Sequence, residues 1–297
     1  MTSSAGGYRG RFAPSPTGPL HFGSLVAAMA SYLDARARQG EWLVRMEDVD
    51  ETRAVAGAAD QILRTLEAFG FQWQGRVLVQ SQRKGLYADV IAQLRQDRYA
   101  FDCGCSRAEI SAIARQGAEG PIYPGTCRDR LPAGKGPRSV RLRVADRILS
   151  FQDRIAGPQQ QNLARELGDF VIRRADGYTA YQLAVVVDDA EQGITDVVRG
   201  ADLLRSTPRQ IYLQGLLGLP TPCYAHVPLV LGPDGHKLSK QDRAHPVQAA
   251  DPLPALLSSL AFLGQCPPPE PPANVGEFWR WAITHWDIDR VPRPAES

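Results

Sequence analysis

RFAPSPTGPLHFGSL, residues 11–25, sets three prolines, two glycines and one histidine directly in front of a long apolar segment. An ordinary turn needs neither that much proline nor the histidine. A strand carrying Arg11 and Phe12, a stiff loop and a helix starting near Gly23 and Ser24 is the arrangement of a nucleotide site. There the orphan amides and the positive end of the helix dipole face a phosphate. Gly18 and Gly23 let the backbone come close, the prolines fix the approach, and His21 can donate to phosphate oxygens. Taken alone, one histidine in a proline-rich turn is more readily a satisfied surface residue than a phosphate ligand. It gains weight from a second basic stretch, HKLSKQ at 236–241, which puts Lys237 and Lys240 on a loop after a glycine-bearing turn. Two ammonium groups there suit the charge that develops on a triphosphate during attack at its α-phosphorus.

Around these two stretches the chain reads as an α/β protein. At 297 residues, with 43% hydrophobic and 22% charged residues, it has ample length for a buried core. No apolar run approaches a membrane span of about 20 residues, and the first ten residues lack the apolar core of a signal peptide, so a cytoplasmic protein without membrane contact is expected. The net charge is only +2, although arginine far outnumbers lysine, so guanidinium contacts to planar anions are plausible while no basic nucleic-acid surface stands out. Ser24 to Ala37 reads as an amphipathic helix, EWLVRMED (41–48) as a short buried strand ending in carboxylates, and AADQILRTLEAFGF (58–71) and KGLYADVIAQLRQDRYAF (84–101) as further helices. SVRLRV (139–144) and DFVIRRADGYTAYQLAVVVDD (169–189) are strand-like, with Ala175-Asp176-Gly177 as a hairpin turn in the latter. DLLRSTPRQIYLQGLLG (202–218) is helical, and HVPLVL is a strand leading into a Pro-Asp-Gly turn. Beyond His245 one helix is expected near Leu253 to Leu263, before a proline-rich break at CPPPEPP.

Between Asp102 and about Pro137 the texture turns to Gly, Pro and Cys, as in an insertion held by something other than apolar burial. Five cysteines without an export signal suggest metal binding or buried thiols rather than disulfides. Cys103, Cys105 and Cys127, with Tyr123 nearby, offer three thiolates and a fourth ligand for tetrahedral Zn²⁺, although unmetallated thiols fit the spacing equally well. Cys223 and Cys266 have no partner in the pattern.

APSPTGPLHFGS (13–24) together with HKLSK (236–240) resembles the two signature motifs of class I aminoacyl-tRNA synthetases. RFAPSPTG, RMEDVDETR (45–53) and VVDDAEQGITDVVRGADLL (186–204) resemble the glutamyl and glutaminyl subgroup, and the match runs in family order over nearly all of 8–241. Ser24 stands where many class I enzymes carry a second histidine, and Gln241 where serine is usual.

The resemblance implies a Rossmann-type catalytic core split into 1–101 and 166–244, a zinc-binding insertion at 102–165, and a short helical C-terminal appendage at 245–297. It assigns His21 and Lys240 to catalysis, and His21, Gly23, Lys237 and Lys240 to ATP. Arg11, Phe12, Ala13, Pro14, Ser15, Glu47, Tyr181 and Arg199 fall to glutamate, with Glu47 on the ammonium, Tyr181 hydrogen-bonding the ligand and Arg199 favoured over Arg11 for the side-chain carboxylate. Asp188 and Asp189 are left outside the site. Short glutamyl-type homologues carry zinc on a C-x-C and Y-x3-C pattern, which implies one structural Zn²⁺ on Cys103, Cys105, Tyr123 and Cys127; Mg²⁺ would accompany the ATP.

Only 57 residues follow Lys240, too few for the helical anticodon-binding domain of full-length glutamyl enzymes. The resemblance is therefore to the short branch, which activates glutamate without tRNA. That branch then esterifies glutamate to queuosine at the wobble position of tRNA(Asp), so the expected RNA partner is that anticodon stem-loop, met by a monomer. The alternatives are a minimal enzyme charging the 3′ end of tRNA(Glu) and a non-catalytic RNA-binding paralogue.

Overall fold

Strand β1 (Arg9–Phe12) ends where proline begins. Pro14, Pro16 and Pro19 have no amide to give a neighbouring strand, so the chain leaves the sheet and climbs over its edge until His21 caps helix α1 (Phe22–Ala37). The computed structural model describes residues 7–117, 119–231 and 246–295. β1 pairs in parallel with β2 (Glu41–Met46), and β2 with β3 (Leu78–Val79), with helix α2 (Ala58–Ala68) in the crossover. On the other side of β1 runs β11 (Asp196–Gly200), tied to it by the Thr195 amide donating to the Arg9 carbonyl at 2.9 Å. β11 pairs in parallel with β12 (Cys223–Val227) across helix α7 (Thr207–Leu217). Read across, the order β3-β2-β1-β11-β12 reverses direction at β1, and the crevice above such a switch point is where α/β sheets bind ligands.

Between the halves the chain makes helix α3 (Lys84–Gln96), strand β4 (Ala100–Cys103), the short helix α4 (Arg107–Ile113) and the small hairpin β5 (Gln116–Gly117) and β6 (Gly120–Pro121). Strands β7 (Ser139–Leu142) and β10 (Val171–Arg173) then join β4 in an antiparallel sheet ordered β10-β7-β4. The hairpin β8 (Ile148–Asp153) and β9 (Gly157–Asn162), followed by the one-turn helix α5 (Leu163–Glu166), does not stay with the insertion bounded at 102–165. Its first strand runs parallel to β12, with Asp153 opposite Tyr224, and extends the second half of the core sheet.

Two local readings change. The 181–189 half of the strand-like stretch is helix α6 (Tyr181–Glu191). The turn at Ala175-Asp176-Gly177 is present, with Gly177 at φ 92°, but the pairing back is one isolated bridge, Thr179 to Arg173, before the helix begins. Leu183 to Val187 are all buried, and an apolar run enclosed on every side carries neither the two-residue nor the 3.6-residue period that separates strand from helix. For the same reason α1 is not amphipathic: Leu25 to Ala35 are buried except Ala27, because the helix lies between the sheet and the C-terminal segment.

That segment is more than an appendage with one helix. Helices α8 (Pro252–Phe262) and α9 (Val275–Thr284) pack on α1 and share one apolar core with β1 and β2. Trp279 lies 4.8 Å from the Tyr32 ring and 4.9 Å from Phe71, and its indole N–H donates to the Phe69 carbonyl at 2.9 Å. Trp279→Ala is expected to cost about 3–5 kcal/mol of stability, the usual cost of emptying a buried aromatic site, and thermal unfolding will register it as a large fall in Tm. Among the described residues no helix is long and apolar enough to cross a membrane.

Candidate active site and metal centre

A cleft of about 780 Å³ opens above the switch point. Its walls bring together Arg11, Phe12, Ala13, Pro14 and Ser15 from the end of β1, Glu47 from just beyond β2, Tyr181 from the start of α6 and Arg199 from β11, with His21 and Gly23 from the first turn of α1. Arg11 and Arg199, far apart in the chain, meet because both strands flanking the switch point end at the same crevice. Lys237 and Lys240 lie outside the described residues. The chain that leads to them lines the cleft at Val230, and beyond them it returns with Pro246 bridged to His21 and the Val247 amide donating to the Leu20 carbonyl.

At the helix start, His21 Nδ1 accepts the Ser24 amide at 3.3 Å and Nε2 lies 3.0 Å from the Ser24 hydroxyl. The histidine thus caps α1, satisfying one of the amides that an unfilled helix terminus leaves bare. Ser24, where a second histidine is common, is its partner. A Cβ on Gly23 would come within 3.3 Å of the His21 ring, so glycine is what lets the imidazole fold back over the turn. Gly18, at φ 143°, holds a backbone angle that other residues rarely adopt.

Beneath the cleft lies a buried quartet of charges. Arg11 donates to Asp189 through Nε at 3.1 Å, and Arg45 donates to Asp189 at 2.6 Å, to Glu47 at 3.3 Å and to the Gln192 side chain at 2.7 Å. Two cations and two carboxylates balance, as the removal of isolated charges from water requires. Burial works against the Asp189 carboxylate, but Arg11 and Arg45 outweigh it and hold the group below its usual range. At Glu47 burial wins over the same two cations and the carboxyl is pushed up. Such a carboxylate gains from a cationic partner, which suits it to an ammonium group.

Arg199 stands differently. It is 5% exposed, yet no carboxylate among the described residues is within ion-pair distance of it. Its donors go to neutral acceptors: Nε to His226 Nε2 at 3.0 Å, Nη2 to Thr207 Oγ1 at 2.8 Å, and Nη1 to the Tyr181 hydroxyl at 3.4 Å. Tyr181 is pushed up to about 12 by burial, so its hydroxyl stays protonated. A guanidinium without a counter-charge at the wall of a crevice is a receptor for an anion.

The three cysteine sulfurs Cys103, Cys105 and Cys127 lie within 4.8 Å of one another, a group that could hold a metal ion. Tyr123 completes the set: its hydroxyl is 3.5 Å from the Cys103 sulfur and accepts the Cys127 amide at 2.8 Å. The Arg141 guanidinium sits 4.0 Å above the Tyr123 ring, while burial and the Cys103 sulfur push the phenol up. Three soft donors and one oxygen at such spacing fit a tetrahedral site. Cys223 and Cys266 are exposed and take no part.

Asp189, Arg45, His226 and Asp153 are the site's supports that sequence reasoning missed. Asp189 reads in sequence as the end of a strand; in α6 it faces β1, while Asp188 beside it turns to Gln80, Arg83 and Tyr87. The usable signal was Arg45 inside an apolar strand, since a buried arginine demands a carboxylate.

A mononucleotide-type fold with an amide-rich helix start, an anion receptor and a carboxylate in one crevice defines an adenylate-forming α/β enzyme. Residues 8–264 match the family described as tRNA synthetases class I (E and Q), catalytic domain, and the chain belongs to that family. It is 56% identical over 98% of its length, and 92% of the relative's, to the Glutamyl-Q tRNA(Asp) synthetase of Aromatoleum aromaticum. It is 57% identical over 95% of its length, and 94% of the relative's, to the protein of the same name from Thiobacillus denitrificans. Among solved structures, a glutamate tRNA ligase from Elizabethkingia meningosepticum in complex with its amino acid is 28% identical and superposes with a TM-score of 0.79. The alignment covers 97% of the present chain, which spans 66% of that ligase.

Proposed function

We propose that this enzyme activates glutamate with ATP in the absence of tRNA and then esterifies the glutamyl group to queuosine at the wobble position of tRNA(Asp). The glutamate half is carried by Arg199, a buried cation that has no ion-paired carboxylate among the described residues and shares one cleft with Glu47. The RNA half is supported by identity of 54–57% to near-full-length relatives that bear the name Glutamyl-Q tRNA(Asp) synthetase.

In this reading Arg199 and Tyr181 take the side-chain carboxylate and Glu47 the ammonium, while Arg11, already bound to Asp189, shapes the pocket floor. The α-carboxylate attacks the α-phosphorus of ATP, and pyrophosphate leaves. No protein nucleophile is required; positioning and charge stabilisation by the start of α1, His21, Gly23, Lys237 and Lys240 do the work. Mg²⁺, when bound with ATP, neutralises phosphate charge. Zn²⁺ on Cys103, Cys105, Tyr123 and Cys127 is structural and holds the insertion. The ester then forms as the queuosine cyclopentenediol attacks the mixed anhydride and AMP departs. The protein acts in the cytoplasm as a monomer.

The test has two steps. Glutamate-dependent ATP–pyrophosphate exchange without tRNA is the first expected result. Transfer of labelled glutamate to queuosine-bearing tRNA(Asp), but neither to tRNA(Asp) lacking queuosine nor to tRNA(Glu), is the second. Charging of tRNA(Glu) alone would establish the minimal tRNA(Glu)-charging enzyme instead, and RNA binding with no exchange would establish a binding paralogue.

A further inference from the structure

Behind Arg199 lies a chain of groups that contact nothing in the cleft. His226, on β12, is fully buried, and so is Asp153 at the end of β8. Asp153 Oδ2 is 2.6 Å from His226 Nδ1, and Arg199 Nε is 3.0 Å from His226 Nε2. An arginine can only donate, so Nε2 must accept and the ring proton must sit on Nδ1, shared with Asp153. Asp153 is fixed in turn by the backbone amides of Ile155 at 3.0 Å and Ala156 at 2.8 Å on the other oxygen. Burial holds His226 down, at about 4, so the imidazole is neutral at physiological pH.

This differs from the support of Arg11. Asp189 touches that guanidinium directly and cancels its charge. At Arg199 a neutral ring is interposed, so the arginine gains a directional acceptor while the Asp153 carboxylate behind it is kept an imidazole's width away. The guanidinium is thereby held in one orientation with its charge uncancelled at close range.

We propose that Asp153 and His226 are positioning residues for the amino-acid site, a relay that fixes the imidazole tautomer so that Arg199 is locked in place yet left able to recognise the carboxylate of glutamate over the amide of glutamine. The inference rests on the glutamate reading given above. Neither residue touches substrate.

Asp153→Asn tests it, because the amide keeps the shape and can still accept the backbone amides through its oxygen, but its N–H₂ faces Nδ1. The imidazole must then carry its proton on Nε2, where it opposes the Arg199 N–H. In ATP–pyrophosphate exchange, KM for glutamate should rise about tenfold or more, the discrimination against glutamine should fall, and KM for ATP should stay within about twofold. His226→Gln retains an acceptor for Arg199 and has no tautomer to invert. Adding Asp153→Asn to it should therefore change KM for glutamate by less than about twofold. An unmoved KM for glutamate in Asp153→Asn, an equal rise in both KM values, or multiplying effects in the double variant would each overturn the relay, provided that the unmodified protein catalyses glutamate-dependent exchange. No exchange in the unmodified protein would overturn the glutamate reading and the relay together.

Discussion

Arg199→Leu is expected to lower kcat/KM for glutamate in pyrophosphate exchange by about 10²- to 10³-fold, the loss of about 3–4 kcal/mol that follows when a charged partner is removed from a desolvated ion pair with substrate. The contrast with Arg11 gives the prediction its edge. Arg11 is bound to Asp189 within the protein, so Arg11→Leu leaves a buried carboxylate with only Arg45 against it and should lower thermal stability as well as activity. Arg199, among the described residues, leaves behind neutral acceptors: His226, Thr207, the Tyr181 hydroxyl and the Leu203 carbonyl. Its variant should therefore lose activity out of proportion to stability. Steady-state exchange kinetics and thermal unfolding, measured on both variants, check this. A loss of stability in Arg199→Leu as large as its loss of activity implies would count against a substrate-facing role.

Removal of the metal from the cysteine cluster should have the second large effect. The apolar core around Cys103, Cys105 and Cys127 contains little besides Phe101, Ile110 and Tyr123, too small a cluster to hold residues 103–136 by burial alone. In such small domains metal binding is itself the folding energy. Purified protein is expected to contain one zinc per chain by elemental analysis. Chelation, or Cys127→Ala, should open the insertion to protease while leaving the sheet and its cleft protected. Tyr123→Phe, which removes the oxygen donor but keeps the ring, should weaken zinc affinity by at least the roughly 10- to 100-fold that loss of a group behind the ligands costs. Full protease resistance of the metal-free protein would show that the insertion is held by packing instead.

The sequence carried much of this site because its parts are local. A proline-stiffened loop opening a helix, a basic loop, and a Cys-x-Cys with a later Tyr and Cys are each confined to a few residues, and the chemistry of those residues is visible without coordinates. Resemblance to known motifs then added the glutamate pocket, whose Arg11, Glu47, Tyr181 and Arg199 do line one cleft. What remained hidden depends on enclosure. Helix α6 reads as a strand in sequence because Leu183–Val187 are buried on all sides, which also hides Asp189, the carboxylate that meets both Arg11 and Arg45. The C-terminal helices read as an addition because nothing in a proline-broken stretch announces that Trp279 will pack edge-on against Tyr32.

By itself, then, the order of residues made three features legible: a proline-stiffened helix start, a lysine-bearing stretch and a cysteine cluster. Only the tertiary structure decided which arginine is free to bind an anion. Arg11 and Arg199 are both buried arginines at the ends of neighbouring strands, alike in sequence terms. One meets a carboxylate from α6 and is neutralised; the other meets an imidazole from β12 and keeps its charge. A charge is available or cancelled according to its nearest partner in space, and those partners lie 178 and 27 residues away along the chain.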